Sequence, residues 1–199
     1  THGINLSPAG SKHTRGVCII ARGDPAITQT IVDTAGRYVI VRLTQNGQEC
    51  MLVNIYAPSG GDKVNERQSL FDHLARTIPT PGINELVFLG GDFNMVESAE
   101  DIGPPPANFV TCRSQRGLQS LKNAVNVEDK WRLVNPDARE YTHQLRADVS
   151  HTRIDRIYLT KWLADEFRVS HVPFVHSGHY NAVLARVELK DAPEMGKGF

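Results

Sequence analysis

The run from Leu86 to Asn94, LVFLGGDFN, constrains this chain more than any other stretch. Four apolar residues, Leu86 to Leu89, make a short strand that has to be buried, and two glycines follow. A buried strand that stops at glycines delivers the next polar residues to the rim of a sheet, where sites are built. Asp92 and Asn94 are two apart, so extended backbone points them the same way and turns Phe93 back into the core. A carboxylate and an amide on one face can hold a water and a phosphate oxygen. The run also suits a plain glycine turn in which Asp92 and Asn94 only shape the backbone. Both readings stand on this run alone.

A length of 199 residues fits one domain with a sizeable core. The formal net charge is zero, so no global field draws nucleic acid, and any such surface must be a local basic patch. Cys18, Cys50 and Cys112 are odd in number and scattered, which argues against a disulfide framework or a zinc site and suits a reducing compartment. No apolar run has membrane-spanning length and no signal peptide is present, so an intracellular place, nuclear or cytoplasmic, is expected.

Strands dominate the pattern. They are expected at 17–21, at 37–43 with Val39, Val41 and Leu43 on one face, at 50–56, at 86–89, at 153–159 and at 181–189. Asn46-Gly47 marks a hairpin. Helices are expected at 65–78, with Leu70, Phe71, Leu74 and Ile78 as its stripe, and from about Gly117. A short helix capped by Thr160 is expected to carry Trp162, Leu163 and Phe167. Residues 190–199 read as a tail after a single domain over 1–189. Many strands with few helices predict two packed sheets with helices outside.

Four further segments carry chemistry-capable side chains. Tyr56 ends a strand before a proline loop, where its hydroxyl can donate to a phosphate oxygen or simply sit half-buried. Tyr141-Thr142 is uninformative alone. In Thr152-Arg153-Ile154-Asp155-Arg156, the carboxylate shares a face with Ile157 and needs a partner, either a neighbouring arginine or an imidazole. His176-Ser177-Gly178-His179-Tyr180 precedes the last strand. If Asp155 lies beside His179, the two form an acid–imidazole dyad whose cation can stabilise a pentavalent phosphate.

In the order NIYAP, GGDFN, YT, RIDRIY and SGHYNAV, these segments resemble the endonuclease/exonuclease/phosphatase superfamily. The likeness is nearest to the endonuclease domains of non-LTR, LINE-type retrotransposons, and it spans about His2 to Leu189. The resemblance implies a four-layer α/β sandwich, two packed mixed or antiparallel sheets flanked by helices. It also implies metal-dependent phosphodiester hydrolysis of DNA with Mg²⁺ or Mn²⁺. By the same resemblance, Tyr56 contacts phosphate, Asp92 activates or orients water, Asn94 holds phosphate and water, and Asp155 pairs with His179. Thr142, Ser177, Arg153 and Arg156 fall on the substrate side, and Asp92 and Asn94 are the metal-binding candidates.

Two departures weaken that expectation. The family's aspartate before the final histidine is Gly178 here, and its N-terminal asparagine and glutamate have no counterpart in Thr1 to Gly16, which holds no Asp or Glu. The sequence is therefore expected to be N-terminally incomplete relative to the family, weak in metal binding and in cleavage, and open to pairing with a missing segment or another chain. The alternative is a repurposed, non-catalytic sandwich that binds nucleic acid or a protein.

Overall fold

The structure is a computed structural model that describes residues 16–104, 109–145, 150–164, 166–173 and 180–188. Ser177, Gly178, His179 and the expected tail lie outside the described residues. The strands are β1 (Ala26–Val32), β2 (Tyr38–Gln45), β3 (Gln48–Tyr56), β4 (Leu86–Asp92), β5 (Ile102–Gly103), β6 (Val127–Glu128), β7 (His143–Leu145), β8 (Ser150–Thr152), β9 (Asp155–Thr160), β10 (Phe167–Pro173) and β11 (Asn181–Val187). The helices are α1 (Val64–Thr77), α2 (Arg113–Ala124) and α3 (Lys130–Val134).

Six strands form one sheet in the order β1-β2-β3-β4-β9-β6; β10-β11 and β5-β8-β7 form two smaller sheets. The period-two patterns sort the central sheet into two faces. Met51, Val53, Ile55, Val87, Leu89 and Tyr158 point to one face, where they pack with Phe71 and Leu74 of α1 and Leu118 and Leu121 of α2. Phe88, Ile157 and Leu159 point to the other, against Phe167, Val169, Ala185 and Val187 of the β10-β11 sheet. The expected α/β sandwich is thus the observed architecture. Val39, Val41 and Leu43 share a face as their alternation predicts. Asn46 and Gly47, at φ 51° and 78°, close the β2-β3 hairpin with two left-handed residues, as a type I′ turn requires.

Three local expectations fail and one strand was not expected, for identifiable reasons. Residues 17–21 form no strand; the segment is held instead by a side chain, with Asn54 Nδ2 donating to the Cys18 carbonyl at 2.9 Å. Thr160 caps no helix, because its hydroxyl accepts the Val87 N–H at 2.7 Å and ties β9 to β4, and Phe167 opens β10. β1 escapes the periodicity because a register shift between Ile27 and Gln29 breaks the alternation. The strand of the LVFLGGDFN run does not stop at its glycines; β4 continues through Gly90 and Gly91 to Asp92.

Gly91 explains why glycine stands there. At φ 133°, a Cβ on this residue would lie 2.0 Å from the Ile55 carbonyl oxygen and 2.7 Å from its nitrogen. The neighbour is strand backbone, which has no rotamer to give way. Gly91→Ala is therefore expected to destabilise the fold by at least about 3 kcal/mol in urea denaturation. An unchanged midpoint would show that β3 and β4 can separate freely.

Candidate active site

Register and pleat together build the site. Tyr56 pairs with Asp92 across the parallel β3-β4 ladder, and Asp92 pairs with Asp155 across the antiparallel β4-β9 ladder. All three belong to the face opposite the helices. One row across three adjacent strands thus carries a phenol and two carboxylates, drawn from positions a hundred residues apart in sequence. Asp92 and Asp155, together with Gly91, Ile157, Asn181 and Val183, line a cleft of about 250 Å³.

The turn after β4 fixes Asn94, though not in the extended form expected. Asn94 is left-handed at φ 48°; its N–H donates to Asp92 Oδ1 at 2.8 Å and its Nδ2 to the Ala57 carbonyl at 2.8 Å. Asp92 is therefore a turn former, as the plainer reading of the run has it, and its carboxylate also faces the cleft. Phe93 does turn inward, edge-on to Tyr158 with centroids 5.1 Å apart. Arg37 lies 5.7 Å above the Tyr56 ring at one end of the row.

Thr142 is fully buried, and its hydroxyl accepts the N–H groups of Ile154 and Asp155 at 3.1 and 3.0 Å. The expectation that it meets substrate is corrected: it positions the start of β9, and with it Asp155. Arg153 and Arg156 are corrected likewise. They are 2% and 1% exposed and cannot form a DNA-facing patch. Arg153 Nε and an Arg156 guanidinium nitrogen bind Asp101 at 2.8 and 2.9 Å, Arg132 adds a contact at 2.7 Å, and Arg153 reaches Asp129 at 2.6 Å. Strand alternation turns Arg156 to the face opposite Asp155. Neither arginine serves as the ion-pair partner proposed for that carboxylate.

Electrostatics separates the acids. Asp101 is held well below the usual carboxylate range because the charges of Arg156 and Arg153 outweigh its burial. Burial pushes Asp92 up to about 6, and the neighbouring Asp155 charge adds to the rise. Burial raises Asp155 too, against the pull of the Thr142 hydroxyl, Arg156 and His143. One Asp155 oxygen, Oδ2, is buried with no hydrogen-bond partner among the described residues. Such an atom asks for a proton, a cation or an imidazole. No group of three or more His, Cys, Asp and Glu gathers among the described residues, so these side chains do not by themselves complete a cage for Mg²⁺ or Mn²⁺. Tyr180 was not foreseen. Its ring packs on His143, and its hydroxyl is raised above the usual phenol range first by burial and then by the charges of Asp92, Asp155 and Tyr56. Its only sequence signal was adjacency to His179.

No family model matches the chain. A Xenopus laevis protein, the transposon TX1 uncharacterized 149 kDa protein, is 30% identical over 164 residues, covering 81% of this chain. The chain spans 12% of that protein's length. An AP endonuclease from Archaeoglobus fulgidus superposes with a TM-score of 0.61 at 17% identity, over 83% of this chain and 72% of its own. D. rerio TDP2 complexed with single strand DNA product gives 0.55 at 16%, over 81% and 67%. At such identities the solved structures establish a common fold.

The Asp92 proton has a measurable consequence. Its folded pKa of about 6 stands above the ordinary 3.8, so folding binds the proton more tightly. The stabilisation is complete below the unfolded value and is lost as pH rises through the folded one. Asp92→Asn keeps an oxygen for the Asn94 N–H and cannot ionise. Its stability relative to wild type is expected to grow by ~2–3 kcal/mol between about pH 4 and about pH 7, read by urea denaturation. A difference independent of pH would mean that Asp92 titrates like an exposed carboxylate.

Proposed function

We propose that this chain, which belongs to the endonuclease/exonuclease/phosphatase superfamily, is the DNA phosphodiesterase domain of a transposon-type protein. The observation that carries the reading is the row Tyr56–Asp92–Asp155, in register on one sheet face beside Asn94. Hydrolysis of a phosphodiester needs a positioned water, a base and donors for the phosphate oxygens. A carboxylate at about 6 is part-ionised near neutral pH, which makes Asp92 the base or water-orienting group. The Tyr56 hydroxyl donates to a phosphate oxygen, and Arg37 above its ring adds positive charge. Asn94, anchored through Ala57, presents its carboxamide to phosphate and water. The Asp155 oxygen that has no partner among the described residues is the acceptor we assign to His179, adjacent in sequence to Tyr180; Ser177 is assigned to the substrate by the family motif.

A divalent ion would supply Lewis-acid stabilisation of the phosphate, yet the described donors leave its cage incomplete. Slow cleavage follows from that. A second reading, binding without cleavage, is favoured by Gly178 at the position where the resemblance implies an aspartate. No described helix is long and apolar enough to cross a membrane. An intracellular place, nuclear or cytoplasmic, suits a domain acting on DNA.

Nicking of supercoiled plasmid in Mg²⁺ or Mn²⁺ is expected to be slow, stopped by a chelator, and lowered about 10²-fold or more by Asp92→Asn. A wild-type rate no higher than that of His179→Ala overturns the catalytic reading in favour of the binding one.

A further inference from the structure

Tyr180 is 48% exposed. It stands where β11 begins against β7: His143 and Tyr180 form an isolated antiparallel bridge, and their rings lie 4.8 Å apart at 49°. The next residue locks the junction. Asn181 donates its N–H to the Thr142 carbonyl at 2.8 Å and its Nδ2 to the Tyr141 carbonyl at 2.7 Å. Asn181 also lines the cleft that holds Asp92 and Asp155. An exposed, backed and immobilised ring is therefore fixed one residue from the candidate phosphate site. Its hydroxyl responds to the charges of that site, which agrees with the placement.

A flat ring already held by a second ring loses little freedom on contact with a ligand. Any nucleobase can stack on such a face, and base stacking on aromatics is tolerant of sequence. In an intact duplex both faces of a base are covered by its neighbours. The ring is useful only to a base that is unpaired or turned out of the stack.

We propose that Tyr180, backed by His143, is the stacking platform for an unpaired nucleobase beside the phosphate bound at Asp92 and Asp155, so that the domain prefers single-stranded or locally opened DNA over intact duplex. This rests on the DNA phosphodiesterase reading above. The test is fluorescence anisotropy on a short labelled oligonucleotide, single-stranded and as duplex, with Ca²⁺ in place of Mg²⁺ to hold cleavage off. Wild type should bind the single strand more tightly. Tyr180→Ala should weaken single-strand binding about tenfold and duplex binding by less than about twofold, while Tyr180→Phe stays within about twofold. Thermal melts of the three proteins should coincide within a few degrees. Equal losses on both DNA forms, or a loss for Tyr180→Phe as large as for Tyr180→Ala, overturn the platform. So does unchanged binding by Tyr180→Ala, which leaves the phosphodiesterase reading in place. Failure of wild type to bind either form removes both.

Discussion

The ends of β3 and β4 approach so closely at Gly91 that no side chain fits between them, and the site hangs on that approach. With Gly91 against the Ile55 backbone, the parallel ladder runs unbroken to its last pair, Tyr56 and Asp92. The antiparallel ladder on the other side then brings Asp155 to Asp92. Parallel and antiparallel neighbours deliver their ends to one edge from distant parts of the chain, and pleat parity places the three side chains on one face. A glycine's missing carbon is thus what lets three sequence-remote groups form a row.

The same sheet carries opposite electrostatic solutions on its two faces. On the helix side, Asp101 is surrounded by Arg132, Arg153 and Arg156, and each buried cation is itself neutralised. Such a cluster does not add stability in proportion to its number of ion pairs, because desolvation offsets much of the attraction. Its consequence is geometric: Arg153 and Arg156 bracket Asp155 in sequence, and their fixed guanidinium groups pin both ends of the strand start that carries it. On the other face two carboxylates meet with no arginine between them, and their pKa values rise.

Much of this was legible in the sequence, and the failures share a cause. Alternation placed Val39, Val41 and Leu43 together and sent Phe93 into the core, and the proline loop marked Tyr56 as a strand end. Periodicity reports which face a residue takes, so these inferences held. It does not report what waits on that face. The arginines beside Asp155 looked like a nucleic-acid patch because their partners, buried Asp101 and part-buried Asp129, lie 24 to 55 residues away in sequence. Thr142 was placed on the substrate side by the family resemblance alone, since its pair with Tyr141 is uninformative in sequence; its structural role shows in the two backbone N–H groups it accepts. Tyr180 was passed over because an aromatic after a histidine carries no signal until its ring is seen against His143.

The two faces together determine what a phosphate would meet. Two carboxylates facing a phosphodiester repel it unless one is protonated or a cation intervenes. The arginines that could have supplied the cation are committed to Asp101 on the far side of the sheet. Protonation of Asp92 as pH falls toward about 6 relieves part of the repulsion, at the expense of the base that hydrolysis needs. Binding and cleavage therefore make opposite demands on one proton. On the proposed reading, Arg37 and the ring of Tyr180 would answer the first demand without touching the second, since one adds charge and the other adds affinity that is independent of charge. On the same proposed reading, binding would therefore extend to lower pH than cleavage does.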